Sequence, residues 1–314
     1  MAIRIYPLDY LKCIFIVLMI VFHLTYIGDK YPYIKQIVYT FHMPAFLIIS
    51  GYLTNIQKKT RRFVFSMIWI FVPYSIMETG YVLMSAVLPV RKGVREISQS
   101  LLLNKVFIAP MGPYWYLHTL IICNLIYYIA DRVSCRMNQV TFIILLETCY
   151  WFLSDYFQLL SMANAVYFMI GIVICRSKQS LLSVFQPSIL GIFPLVLLCQ
   201  YPENLNRFTM GGAAITYLFI SLSLWVYFYI PDQIKRITHF VGSNTLPILL
   251  FSPIFTIVSK GMIPLFSFDD SGLCFMCVAT AFVIFSCVTV AWCMDKMNLS
   301  RWFCGRISIL NNWT

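Results

Sequence analysis

The chain has 314 residues, of which 60% are hydrophobic and 11% charged, with a formal net charge of +11. Soluble domains carry about 25% charged residues, so this balance excludes a soluble globular protein and marks an all-α, polytopic integral membrane protein, a single transmembrane domain over 1–314. The basic residues fall in short clusters between apolar runs, where the positive-inside bias explains them, and no nucleic-acid partner is expected.

Arg4 before an apolar run resembles the start of a signal peptide, but no small-residue cleavage site follows, so the run is expected to stay as the first helix. Apolar stretches long enough to span, or nearly so, recur at 8–28, 37–56, 63–89, 114–130, 140–157, 160–175, 187–201, 211–230, 244–266 and 272–294. This predicts about ten transmembrane helices; the fifth and sixth are parted by only a few residues near Gln158, so nine or eleven stay open. The eleven cysteines lie mostly inside these runs, where a thiol behaves as a small hydrophobe. Cys274 and Cys277 form a CxxC without a second pair, so no metal is expected.

Lys58, Lys59, Arg61 and Arg62 form the strongest basic cluster and place the loop after helix two in the cytoplasm. Alternation then puts both termini inside, together with Arg4, Lys12, Arg132, Arg136, Arg176, Lys178, Lys235, Arg236, Lys296, Arg301 and Arg306. The outer side receives Lys30, Lys35, Arg91, Lys92, Arg95, Lys105, Arg207 and Lys260. Segment 90–110, the longest loop, breaks the charge rule and reads as an amphipathic or re-entrant element over the outer mouth.

This topology brings four titratable groups to one depth. His23 follows Lys12 by eleven residues, about 16 Å along a helix axis, which places it in the outer half. Helix two runs inward, so His42 shares that half; Glu78 of helix three and His118 of helix four, beside Trp115 and Tyr116, approach it too. Ionisable groups at membrane depth are costly and tend to mark function. Lys12 and the cationic cluster lie on the opposite, inner side. A transporter or flippase that relays protons through His and Glu stays open as an alternative, although no half-to-half repeat stands out.

The opening RIYPLDYLKCIFIVLMIVFH resembles the first helix of membrane acyltransferase family 3, with its basic residue, ten residues, then His: here Lys12 and His23. Phe41, His42, Met43 and Pro44, followed by Ser50, Gly51 and Tyr52, are similar to the family's second helix. Arg61 and Arg62 before Val72, Pro73 and Tyr74, the run Gly112 to Leu117, and GSNTLPILLFSP at 242–253 resemble later family elements. The resemblance covers most of the chain and is closest to the fucose 4-O-acetylase-like, surface-glycan branch. Two positions depart from it: Lys12 replaces the usual Arg, and Ser252 stands where a late histidine is often found.

The resemblance implies transfer of an acetyl or other short acyl group from cytosolic acetyl-CoA to a hydroxyl of a surface polysaccharide or its lipid-linked precursor, in a bacterial cytoplasmic membrane. A sugar hydroxyl is a weak nucleophile, and a neutral imidazole that takes its proton is worth about 10²–10⁴-fold. His23 is the expected base, oriented by Glu78 or His42; His42, Trp115, Tyr116 or His118 are the expected contacts to substrate and oxyanion. Lys12, Arg61 and Arg62 are expected at the CoA phosphates.

Overall fold

Proline sets where the first two long helices begin. Pro7 and Pro32 occupy the first turns of α1 (Tyr6–His23) and α3 (Pro32–Leu53), where a missing amide N–H costs nothing. The short α2 (Thr25–Lys30) turns the chain between them. The structure, a computed structural model, describes residues 4–87, 93–94, 96–134 and 137–311, and among these every regular element is helical. Arg91, Lys92, Arg95 and Arg136, used in the charge count above, lie outside the described residues.

The chain continues through α4 (Thr60–Val87), α5 (Gln99–Phe107), α6 (Trp115–Val133), α7 (Gln139–Asp155), α8 (Met162–Arg176), α9 (Leu181–Val184), α10 (Ile192–Cys199) and α11 (Met210–Tyr229). It ends with α12 (Asp232–Ser243), α13 (Thr245–Val258), α14 (Leu273–Lys296) and α15 (Ser300–Cys304). Among the described residues six helices are long and apolar enough to cross a membrane: α1, α3, α4, α11, α13 with its 3₁₀ extension to Phe266, and α14. A seventh arises if α5 and α6, bent by 42° at their junction, count as one span. The other expected runs hold shorter helices, of 17 residues in α7, 15 in α8 and 8 in α10. Eight residues rise only about 12 Å, well short of a hydrocarbon core about 30 Å thick; Pro187 and a turn through Gly191 use up the first residues of that run.

Helix α1 is the hub. Leu11, Phe15, Ile16 and Ile20 are fully buried, and α3, α11, α12, α13 and α14 pack around them. Helix α12, which lies in a stretch the hydropathy pattern leaves as a loop, is amphipathic and docks on α1 so closely that a Cβ on Gly242 would stand 1.7 Å from the Asp9 carbonyl oxygen. Helix α5 descends beside α4: Tyr74, midway along α4, donates to the Val106 carbonyl at 2.8 Å.

Both described chain ends lie at one end of the bundle. Arg4 donates to the His239 carbonyl at 3.2 Å, and the Asn311 amide donates to Asn244 Oδ1 at 2.7 Å. Arg132 donates to the Lys58 carbonyl at 3.2 Å, so the basic cluster is at this end too. His23, at the last residue of α1, is at the other.

Helices α3 and α8 meet backbone to backbone through small residues. A Cβ on Gly51 would stand 2.0 Å from the Phe168 carbonyl oxygen, and one on Gly171 equally close to that of Ile48. Overpacking costs about 1–3 kcal/mol when side chains can yield, and here the obstacle is backbone. Gly171→Leu is therefore expected to destabilise by at least the top of that range. Gly80→Ala, with nothing within 4 Å of its Cβ inside α4, should be neutral or stabilise by up to about 1 kcal/mol. Thermal unfolding of the two variants in detergent checks the contrast, and equal midpoints would remove the close-crossing argument.

Candidate active site

His23 and His42 line one cavity of about 760 Å³ near the end of the bundle opposite the basic cluster. Tyr39 stands between them, its ring centroid 6.1 Å from that of His23 and 5.2 Å from that of His42. Each histidine is held by its own helix: His23 Nδ1 lies 2.6 Å from the Met19 carbonyl oxygen and His42 Nδ1 lies 2.7 Å from that of Val38. A carbonyl can only accept, so Nδ1 carries the hydrogen in both rings. In the neutral form each Nε2 is left with a lone pair. The orienting partner of His23 is thus a backbone carbonyl, not Glu78 or His42. His42, with its single N–H committed, has none to offer an oxyanion while neutral.

Glu78 and His118 do not line this cavity. Glu78 is fully buried and accepts from the Met111 amide at 2.5 Å; its second oxygen has no partner among the described residues. That bond holds the turn before α6, where Gly112 takes φ +59° and a Cβ would stand 2.8 Å from the Tyr81 ring. The turn presents Pro113 and Trp115 to the histidines, so Glu78 positions the wall of the site. His118 Nε2 lies 2.9 Å from the Phe107 carbonyl oxygen and its ring packs near Tyr74, which makes it a packing residue between α5 and α6. Ser252 reaches a smaller cavity of about 250 Å³ that shares His23 and Met19 with the larger one.

A second large cavity, about 750 Å³, opens at the basic end. Lys12, Lys58, Arg61, Arg62 and Arg306 line it, and no carboxylate does among the described residues. Lys12 is already held: Asp9 sits 2.7 Å from both Lys12 Nζ and Arg4 Nε. Arg306 arrives through a fold-back of the tail, in which the Asp295 carboxylate accepts from the Ile309 amide at 2.8 Å and from Ser308 at 2.7 Å. Gly305, at φ +65°, lies against the Trp69 ring with no room for a Cβ. Such a convergence of cations suits a polyphosphate.

One helical turn separates the two cavities. Met43 faces the histidine side, while Phe46 and Ser50 face the basic side. Neighbours on α6 divide the same way: Trp115 lines the histidine cavity, and Tyr116 the basic one, where its hydroxyl lies 2.7 Å from Ser50 Oγ. Tyr116 is therefore a residue of the dividing wall, one turn from the imidazoles. Lys35 and Tyr39 were not singled out by sequence, although both precede His42 at helical spacing on one face and could have been found by it. Arg207, Lys58 and Arg306 also join the cavities, and only their charge hinted at them.

A family model described as an acyltransferase domain matches residues 5–294. The chain belongs to that family, and its helices make it an integral membrane acyltransferase. No curated protein and no solved structure matches it. Residues 295–311, which carry Arg306 into the basic cavity, lie beyond the matched region.

Asp9 is the carboxylate on which the basic end of α1 relies. Removing one partner of a buried ion pair costs about 3–5 kcal/mol because the other charge is stranded. Asp9, with an 8% exposed side chain, serves two partly exposed cations, so Asp9→Asn is expected near the lower bound. Lys12→Met should cost less, since Arg4 then keeps the carboxylate. Chemical or thermal denaturation of both variants measures the order, and a reversed order would show that Asp9 is not the shared anchor.

Proposed function

We propose that this acyltransferase moves an acetyl or other short acyl group from acyl-CoA to a hydroxyl of a surface polysaccharide or its lipid-linked precursor, as in the surface-glycan branch that the sequence resembles. The observation that carries the reading is the pair of cavities. A cavity lined by five cations and by no carboxylate among the described residues, and a pair of imidazoles with Nε2 lone pairs, lie on either side of a wall one helical turn thick.

Acyl-CoA enters at the basic end, where Lys12, Lys58, Arg61, Arg62 and Arg306 meet its phosphates, and its pantetheine arm passes Met43 and Phe46. The acceptor hydroxyl hydrogen-bonds to His23 Nε2. Its oxygen attacks the thioester carbon as the proton moves to that nitrogen; the tetrahedral intermediate then breaks its C–S bond, and the imidazolium returns the proton to the leaving CoA sulfur. The Trp115 indole N–H, in the same cavity, supplies a donor to the oxyanion. His42, a turn deeper, accepts a second hydrogen bond from the sugar and fixes its approach. Because Nδ1–H of His23 is bound to a main-chain carbonyl, the base keeps its tautomer without any carboxylate beside it.

The site reading predicts separable kinetics. His23→Ala should abolish transfer while the protein stays folded and inserted, and His42→Ala should lower it strongly. Lys12→Ala and Arg306→Ala should raise KM for acyl-CoA with kcat nearly kept, the pattern of lost ground-state binding. Steady-state transfer from acetyl-CoA in membranes tests all four; unchanged acetylation by His23→Ala would sink the assignment of the base.

The membrane is a bacterial cytoplasmic one on this reading, and the positive-inside bias supports a basic cavity and chain ends that face the cytosol with the histidine cavity outward. Single cysteines at Lys59, Glu203 and Arg301, in a background without native cysteines, report this on intact cells through an impermeant thiol reagent. Position 203 alone should label. Labelling at 59 or 301 would invert the topology and make the acceptor intracellular.

A further inference from the structure

The histidine cavity is built for more than a neutral sugar. Arg207 projects from the loop before α11 into this cavity, half-buried, with its backbone carbonyl fixed by the Tyr167 hydroxyl at 2.8 Å. Its guanidinium carbon lies 5.4 Å from the centroid of the Trp115 ring, and no carboxylate is within ion-pair distance of it among the described residues. Burial works against its charge and pulls its pKa below the ordinary arginine value. The aromatic face orients the fork and offers only a modest return for the lost hydration. Lys35 lies across the cavity over the Tyr39 ring, and the single carboxylate among the described lining residues, Glu203, is exposed at the rim.

We infer that the acyl acceptor carries an anionic group, a carboxylate or a phosphate, which Arg207 binds bidentately while a neighbouring hydroxyl meets His23. The inference rests on the acyltransferase reading above and adds the acceptor's charge. The planar fork matches either anion, and a charge-assisted hydrogen bond supplies what the half-buried guanidinium lacks. Trp115 then has two tasks in one place: it stacks on the arginine that holds the acceptor, and its N–H faces the reacting carbonyl.

The test is ligand-dependent thermal unfolding of the full chain in lipid nanodiscs, with CoA saturating so that the basic cavity is filled. The probes are glucuronate, glucose 1-phosphate and glucose at equal ionic strength. At least one anionic probe should raise the unfolding midpoint in a concentration-dependent way, glucose should not, and the stronger of the two anions distinguishes carboxylate from phosphate. Arg207→Gln should weaken the anion's apparent affinity by about tenfold or more, and Arg207→Lys, which keeps the charge and loses the fork, should fall between. An equal shift with glucose, no anion-specific shift, or a shift retained in both variants overturns the inference. Failure of the acyltransferase reading looks different: the wild-type protein would show the anion shift yet neither hydrolyse nor transfer the thioester of acetyl-CoA.

Discussion

The bilayer's intolerance of unpaired polar groups is the constraint from which the site follows. A hydrogen-bonding group left unsatisfied in hydrocarbon costs several kcal/mol, so a polar side chain placed at depth gains by carrying its partner with it; Glu78, with one oxygen unpartnered among the described residues, meets that demand only by half. His23 and His42 solve this with the carbonyl one turn back on their own helix. The solution has a chemical consequence, because a ring anchored by Nδ1–H presents a lone pair on the other side. Structural satisfaction and readiness as a base are here the same hydrogen bond. Asp9 answers the same demand for charge, holding Arg4 and Lys12 where α1 enters the membrane.

Packing of small residues supplies the rest of the frame. Gly51 and Gly171 let α3 and α8 touch at the backbone, and Gly242 does the same for α12 on α1. Gly51 adjoins Ser50 of the cationic cavity, and Gly242 meets Asp9, the carboxylate that holds Lys12. The histidine end is built differently, from irregular pieces: the turn at Gly112 held by Glu78, and the loop that carries Arg207.

Much of this was legible in the sequence, for identifiable reasons. Composition alone gives a helical membrane protein. The spacing of Lys12 and His23, and the local pattern around His42, place Lys12 at one end and the two histidines at the other because helix rise is fixed and alternation sets direction. What failed were inferences about partners. Glu78 shares the depth of His23 but points to Met111, and His118 points to Phe107, since depth along an axis says nothing about rotation around it. Tyr116 faces the other cavity from Trp115 for the same reason: neighbours on a helix are turned by about 100°. The amphipathic α12 escaped because its Lys235 and Arg236 read as loop, and eight-residue α10 passed as a span because hydropathy cannot see Pro187 and Gly191 break a run. Arg306 and Arg207 belong to segments whose placement depends on contacts far away in sequence, Asn244 with Asn311 and Tyr167 with Arg207.

The wall between the cavities is what makes the two ends one machine. On the proposed reaction, an acyl group entering from the basic cavity would cross the region of Met43, Phe46 and Tyr116, and water and protons must not follow it freely. Met43 is a flexible, unbranched side chain that can yield to a pantetheine arm, and Phe46 and Tyr116 pack with ring centroids 5.9 Å apart behind it. The Tyr116 hydroxyl is satisfied by Ser50, so the wall closes without stranding a polar group when the donor is absent. Pro44, one residue past Met43, removes the amide that would bond the Thr40 carbonyl and loosens α3 at this depth. Helix α3, which carries His42, thus lacks one backbone hydrogen bond at the wall, and on the proposed reaction a thioester admitted there would reach His23 past a segment of α3 that can yield.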